Sequence, residues 1–130
     1  MIQDLPVADL AAGLEARSVV LLDVRPVEDV AAGHIPGSWP VALAVLPLRL
    51  RDVDDPLQVR LRTSAALVAL VAGDEGRLAA ARALLAEIGV EAVGVTGEVV
   101  AWSRAGRPLN RGRIDVEDPA ERMGRPTVDG

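Results

Sequence analysis

The residues with the greatest capacity for chemistry fall in one short polar loop. In order, they are Ala72, Gly73, Asp74, Glu75, Gly76 and Arg77. Two carboxylates stand side by side, and Arg77 is the loop's only cation. Backbone N–H groups that lead into a helix favour an anion, whereas Asp74 and Glu75 repel one. The loop therefore indicates either a small-ligand site or a structural turn in which Arg77 neutralises Asp74 or Glu75.

A buried strand and a helix must position this loop. Residues 66–72 form an uncharged apolar run between turn signals, which predicts a strand buried on both faces of a sheet. From Arg77 onward, apolar residues recur at helical spacing: Leu78, Ala81, Leu84, Leu85 and Ile88. In parallel α/β domains, sites are built at such a junction because free N–H groups and the helix dipole converge there.

The chain before the loop alternates predicted strands and helices. An edge strand at residues 2–3, a helix from residue 7 to about residue 17, a strand at 18–24 and a helix at 27–32 precede an apolar segment at 39–46. Strands joined through helices pair most economically in parallel, so the sequence predicts an α/β fold. A length of 130 residues, half of them apolar, suits one domain with an aliphatic core.

Composition excludes several classes of function. The chain has no cysteine, which removes disulfides, thiolate metal sites and cysteine nucleophiles. A net charge of −5 and only two aromatic residues, Trp39 and Trp102, argue against nucleic-acid binding. No phosphate loop, dinucleotide fingerprint or metal-ligand cluster occurs, so no cofactor and no metal are expected. Because a basic leader and a membrane-length apolar run are both absent, we expect a cytoplasmic protein without a membrane span.

Two motifs resemble the rhodanese-like (sulfurtransferase) domain family. Residues 23–29 (DVRPVED) and 33–38 (GHIPGS) are similar to its first signature, which reads DVR, an acidic helix and GHIPGA. Residues 77–89 resemble the helix after the family's active-site loop. Residues 99–102 (VVAW) and 106–109 (GRPL) resemble its closing stretch, GGxxAWxxxGxPV.

This resemblance implies a fold and a domain boundary. The family is a single α/β domain with a five-stranded, mostly parallel sheet and helices on both faces, which we expect at residues 1–109. Residues 110–130 hold few apolar residues and mixed charge, which predicts a polar C-terminal tail or arm.

The loop departs from the family pattern at the site of the chemistry. In catalytic members it reads Cys-x-x-Gly-x-Arg, so that, with Arg77 aligned, Ala72 holds the cysteine position and Glu75 the glycine position. Sulfur transfer in the family needs a thiolate that accepts sulfur as a persulfide, and alanine supplies none. Residues 72–77 contain no Ser, Thr, His or Lys as a substitute. The resemblance thus implies a degenerate active-site loop without a catalytic residue.

Other polar residues of the motifs have structural interpretations. His34, the only histidine, lies in a turn without a partner nucleophile, which indicates a hydrogen-bonding role. Asp23 and Arg25 end a predicted strand, and an ion pair of Arg25 with Asp23 or Glu28 would fix the turn into the next helix. Trp102 is expected to cover the edge of the core.

The segment at residues 42–62 allows two interpretations. PLRLR at 47–51 and LQVRLR at 57–62 alternate apolar with polar residues around a turn-rich DVDDP, which predicts a hairpin. The family resemblance instead implies a helix at 42–51 that leads into a loop. In a hairpin, four arginines would share one face and could contact an acidic partner: Arg49, Arg51, Arg60 and Arg62.

We therefore expect a catalytically inactive rhodanese-like domain that acts as a binding or regulatory module toward an unknown protein partner or small ligand, as a monomer or homodimer. The competing class is an enzyme: a sulfurtransferase whose cysteine comes from a partner chain, or another reaction in the same cleft using Asp74, Glu75 and His34. Geometry separates the possibilities. Convergent N–H groups over an open pocket would favour a small ligand, whereas a loop filled by its own side chains would favour protein binding or a structural role.

Overall fold

The computed structural model describes residues 4–63 and 65–112. Within them, the strands are β1 (Asp4–Leu5), β2 (Val19–Asp23), β3 (Trp39–Pro40), β4 (Leu67–Val71) and β5 (Ala92–Val95). The helices are α1 (Val7–Glu15), α2 (Val27–Ala32), α3 (Leu46–Arg51), α4 (Pro56–Thr63), α5 (Glu75–Ala86) and α6 (Glu98–Arg104), with a 3-10 turn at Leu43–Val45.

These strands form one sheet in the order β1-β5-β4-β2-β3, and every adjacent pair is parallel. The longest register joins the central strands, from Val19 opposite Leu67 to Asp23 opposite Val71. Parallel neighbours need crossover connections, and here each connection contains at least one helix. The predicted α/β fold with a five-stranded, mostly parallel sheet is confirmed, and the carboxyl ends of β2, β4 and β5 meet at one edge.

Helices cover both faces of the sheet. The side chains of Val20 and Leu70 join the core cluster that α3, α4 and α5 complete. Those of Leu21 and Val71 join a second cluster with α1 and α6, in which Trp102 is buried as the sequence predicts. Because β2 and β4 are covered on both sides, their apolar sequences, with Asp23 at the end of β2 as the one charged residue, match their positions.

Most predicted elements lie close to their observed positions. Helix α1, strand β2 and helix α2 fall within the predicted ranges. The first strand is found at Asp4–Leu5, and residues 2–3 lie outside the described residues, as does residue 113 onward of the predicted tail. Across the described chain, no helix has the length and apolar character needed to traverse a membrane.

The hairpin interpretation of residues 47–62 is wrong, because both halves are helical. Buried leucines in this segment are spaced four residues apart, Leu46 with Leu50 and Leu57 with Leu61, which is the period of a helix face. The apolar residues midway between these leucines are exposed, Leu48 by 66% and Val59 by 38%. Alternation of leucine and arginine thus concealed a helical pattern in which every second apolar residue points to solvent.

Candidate functional site

The loop at residues 72–77 follows β4 at the carboxyl edge of the sheet. Ala72, at the cysteine position of the family motif, is 0% exposed and belongs to the core cluster of Leu70. Gly73 has a φ of +90°, a conformation that residues with a Cβ rarely adopt. A Cβ on Gly73 would lie 3.5 Å from Arg25 Cγ, so the Arg25 side chain packs against the loop. The nucleophile position therefore carries a methyl group packed in the core.

Asp74 and Arg77 define the other end of the loop. Asp74 is the N-cap of α5, and its Oδ1 accepts a hydrogen bond from the Arg77 backbone N–H at 2.7 Å. The Arg77 side chain lies farther off, with Nε 3.9 Å from Asp74 Oδ2, which is a long ion pair and not a hydrogen bond. Glu75 is exposed in the first turn of α5, where a carboxylate complements the helix dipole. Both predicted carboxylates thus serve the helix N-terminus.

A carboxylate from a distant part of the chain accepts hydrogen bonds from two further donors of the loop. Glu98, the first residue of α6, accepts hydrogen bonds from the Ala72 N–H at Oε2 (3.0 Å) and from the Gly73 N–H at Oε1 (2.8 Å). Each oxygen takes one N–H group, which makes a two-point, charge-assisted contact. The N–H groups of Ala72 and Gly73 therefore converge on one anion, and that anion belongs to the chain itself.

Glu98 is the site residue that the sequence analysis missed. Its φ is +51° and that of the preceding Gly97 is +69°, so the turn between β5 and α6 has two successive left-handed residues. In the family stretch GGxxAWxxxGxPV, which Gly97 opens and Trp102 continues, Glu98 stands at the second glycine. The sequence signal that could have identified Glu98 is a glutamate where the family has glycine. The spacing of residues along the chain could not predict its contact with Ala72, which lies 26 residues away.

Arg25 and Asp23 form an ion pair beside the loop. Asp23 is 1% exposed, and Arg25 pairs with it through Nε–Oδ1 (2.9 Å) and Nη2–Oδ2 (2.7 Å). Nη2 of Arg25 also donates to the Gly33 carbonyl oxygen at 2.8 Å. The hydrogen bond to Asp23 raises the pKa of the Arg25 guanidinium, against the effect of burial, and the charge of Glu98 contributes in the same direction. The ion pair thus forms with Asp23 and not with Glu28.

His34 contacts α2 and the chain after α6. It is 3% exposed, and its Nδ1 lies 2.9 Å from the Val30 carbonyl oxygen. Its backbone forms an antiparallel bridge with Asn110, with both N–O distances at 2.9 Å. These contacts hold the segment after Leu109 against the end of α2. The structure therefore gives His34 the hydrogen-bonding role and does not bring it to Asp74 or Glu75.

The four arginines of the predicted contact surface do not share one face. Arg49 is buried in an ion pair with Asp55, with Nε 2.9 Å from Oδ2. Arg60 donates to the Arg17 carbonyl oxygen at 3.4 Å, and Arg62 donates to the Val53 carbonyl oxygen and to Gln58. Arg51 is exposed. A surface that includes Arg49 loses its basis with the hairpin, and three arginines remain accessible in part or in full.

The arrangement as a whole holds an internal carboxylate and lacks a nucleophile. Two backbone N–H groups and the nearby Arg25 guanidinium stabilise the negative charge of Glu98, and residues 72–77 themselves contain no thiol, hydroxyl or amine. Within residues 4–63 and 65–112, no group of three or more His, Asp or Glu side chains is placed to hold a metal ion. The geometry at this edge is therefore that of an internal carboxylate held by two backbone N–H groups.

Comparisons with known proteins point to one family. The family model for the rhodanese-like domain matches residues 6–105. A curated relative from Mycobacterium tuberculosis, an HTH-type transcriptional regulator, is 31% identical over 105 residues, 81% of this chain. The chain spans only 43% of the length of that regulator.

Solved structures agree with this fold. A rhodanese-related protein from Thermoplasma volcanium is 24% identical with a TM-score of 0.61, over 83% of this chain and 97% of that one. A thiosulfate sulfurtransferase from Pseudomonas aeruginosa is 26% identical with a TM-score of 0.66, over 85% of this chain and 20% of that one. With the family model matched across most of its length and both family motifs in place, this cysteine-free chain belongs to the rhodanese-like domain family.

Proposed function

We propose that this chain is a catalytically inactive rhodanese-like domain that works as a binding or regulatory module. The observation that carries the proposal is Ala72, a buried methyl group at the position where sulfur transfer needs a thiolate. No other cysteine in the sequence could replace it. The loop has lost the atom that would accept sulfur.

The contents of the loop favour a protein partner over a small ligand. An enzyme or small-molecule sensor of this fold would leave the N–H groups of Ala72 and Gly73 accessible, whereas here Glu98 takes both. The exposed carboxylates Asp74 and Glu75 add negative charge at the same edge and disfavour an external anion.

The similarity to a transcriptional regulator supports the regulatory half of the proposal. That relative carries the chain's counterpart as less than half of its length, beside other sequence. A domain that modulates a neighbouring or separate protein fits such an arrangement. We expect the module to act in the cytoplasm, as a monomer or homodimer, on a partner that remains to be found.

A sulfurtransferase assay tests the absence of catalysis. Purified protein should transfer no sulfur from thiosulfate or mercaptopyruvate to cyanide above the buffer blank. A parallel assay with a small thiol added at millimolar concentration tests the competing hypothesis that a partner supplies the cysteine. Turnover that survives repurification would contradict the proposal in the first assay, and turnover that appears only with the thiol would favour a partner-supplied nucleophile.

Partner capture tests the binding role. Immobilised wild-type protein is compared with a variant in which Arg51, Arg60 and Arg62 are replaced by Gln and the structural Arg49 is kept. If the remaining arginines contact an acidic partner, the variant should fold normally and retain less of any protein captured from the native host. Equal retention by the variant would exclude this surface.

A further inference from the structure

We propose that Glu98 is an internal ligand of the loop, an autoinhibitory contact that keeps the N–H groups of Ala72 and Gly73 closed to external oxyanions. The contact is mutually exclusive with any other acceptor, because each N–H donates along one direction and Glu98 takes both at 2.8–3.0 Å. An oxyanion reaches these donors only after the Glu98 side chain swings away.

The backbone conformation at Glu98 directs its side chain toward this contact. Glu98 has a φ of +51°, a region that residues with a Cβ populate sparsely. Gly97 before it has a φ of +69°, and a Cβ there would lie 2.6 Å from Ala101 Cβ. The turn therefore needs its left-handed path, and that path directs the first side chain of α6 toward the loop.

The position of α6 does not depend on the Glu98 contact. Trp102 anchors the helix, since it is buried in the core and its Nε1 donates to the Pro108 carbonyl oxygen at 2.8 Å. Release of Glu98 thus requires only a side-chain rotation. The two N–H groups would then lack an acceptor and lie near the Arg25–Asp23 ion pair, which is a site for a small oxyanion.

The expected size of the effect follows from competition. An external anion binds only the fraction of molecules in which Glu98 is released, and its apparent dissociation constant rises by the inverse of that fraction. Two charge-assisted hydrogen bonds keep that fraction at or below about one in ten, so removal of the carboxylate should strengthen anion binding by ~10-fold or more.

The test uses amide resonances of the folded protein as the readout. Wild type, Glu98→Gly and Glu98→Gln are labelled with ¹⁵N and titrated with sodium thiosulfate, with sodium chloride of equal ionic strength as the reference. Glycine suits the left-handed position and removes the carboxylate, whereas glutamine keeps the side-chain length without the charge. Glu91→Gln is the matched control, since Glu91 is exposed just before β5, at the opposite end of that strand.

In Glu98→Gly, thiosulfate should shift the Ala72 and Gly73 resonances saturably and at least about tenfold more tightly than in wild type or Glu91→Gln. Equal responses of wild type and Glu98→Gly, or no saturable response in the folded variant, would overturn the proposal. If Glu98→Gly does not fold, Glu98→Gln provides the test through amide hydrogen exchange. The Gly73 amide of this variant should exchange faster than in wild type, and added thiosulfate should slow it again. An unchanged exchange rate would count against the proposal. None of these results depends on the sulfur-transfer assay, so failure here leaves the proposed function to be judged separately.

Discussion

Arg25 donates two parallel hydrogen bonds to Asp23, from Nε to Oδ1 at 2.9 Å and from Nη2 to Oδ2 at 2.7 Å, at the point where β2 ends. The same guanidinium reaches the Gly33 carbonyl oxygen, which follows α2. One side chain therefore ties the beginning of the β2–α2 turn to the residue after the helix, and its stem packs against Gly73 of the loop. The DVR motif is in this chain a structural clamp beside the loop.

We expect Arg25→Gln to lower the free energy of unfolding by about 3 kcal/mol or more, because it leaves the buried Asp23 carboxylate without its partner. Arg25→Lys should lose less, since it keeps the charge but cannot form the planar fork. Urea unfolding followed by circular dichroism measures both. Arg82→Gln, which removes an exposed arginine on α5, is the control and should change stability by less than about 0.5 kcal/mol. A loss at Arg25 no larger than at Arg82 would refute the clamp.

The turn between α3 and α4 predicts a specific pH dependence. Burial by itself would raise the pKa of Asp55, but hydrogen bonds from the Arg49 guanidinium and the Leu57 N–H outweigh it and hold the pKa below its ordinary value of 3.8. Because the folded-state pKa is the lower one, Asp55 stabilises the fold above pH ~4, and this contribution disappears as the pH falls through the folded-state value.

Asp55→Asn should therefore be less stable than wild type at pH 7, and the difference should shrink as the pH is lowered below about 4. Asparagine still caps the Leu57 N–H, so the change isolates the charge pair with Arg49. Denaturant unfolding at several pH values gives the comparison, with Asp54→Asn, an exposed carboxylate in the same turn, as the control. A difference that stays constant with pH would show that the Asp55 charge does not contribute.

Two glycines with similar φ angles allow steric clash to be separated from backbone strain. Gly97 has a φ of +69° and a Cβ there would lie 2.6 Å from Ala101 Cβ, whereas Gly106 has a φ of +80° and nothing within 4 Å of that position. Gly106→Ala should cost only the left-handed strain, about 1 kcal/mol. Gly97→Ala should cost that amount plus about 1–3 kcal/mol of overpacking. Thermal unfolding of the two variants is the measurement, and equal losses would mean that α6 shifts to relieve the contact.

The predictable part of this fold is the part with local or continuous signals. Strands β2 and β4 were predictable because buried parallel strands have uninterrupted apolar sequences, and the Asp23–Arg25 pair because its members are two residues apart. The hairpin prediction failed because leucines at every second position satisfy both periods when one of them is exposed, as Leu48 is. The burial of individual leucines distinguishes the helix from the strand here, and burial is known only once the chain is folded.

The contact of Glu98 with the loop could not be predicted from local sequence patterns, for a different reason. Ala72 and Glu75 were readable as departures from a motif, but the contact of Glu98 with Ala72 and Gly73 joins segments that only the parallel sheet brings together. Polar contacts across adjacent strand ends depend on register and on the direction of each turn. Here the left-handed Gly97–Glu98 turn sets that direction, and spacing along the chain does not encode it.

Restoring the cysteine tests whether the loop can still form a sulfur-binding site. Ala72→Cys alone places a thiol before the α5 N-terminus and near Arg77, which lowers its pKa. Three effects act in the opposite direction: the buried position of residue 72, the exposed carboxylates at 74 and 75, and the bound carboxylate of Glu98. We therefore expect little or no sulfur uptake from thiosulfate by this single variant.

Stepwise removal of those carboxylates should restore the reaction in a defined order. Asp74→Ser keeps an N-cap for the Arg77 N–H, and Glu75→Gly restores the family residue, so both are compatible with the loop. Added to Ala72→Cys they remove two negative charges, but Glu98 still holds the Ala72 and Gly73 donors, and uptake should remain low. Only the fourth change, Glu98→Gly, frees the donors for an anionic persulfide.

Mass spectrometry after incubation with thiosulfate measures the outcome as the gain of one sulfur atom, with sulfite released. The variant with all four substitutions should form the persulfide, and the one that retains Glu98 should form much less. Circular dichroism and thermal unfolding establish that both are folded. If both form persulfide equally, Glu98 does not control the loop. If the fourfold variant is folded, titrates near the free-thiol pKa of about 8.5 and takes up no sulfur, then the N–H groups of residues 72 and 73 do not form an anion site, and the loop serves only structure or protein contact.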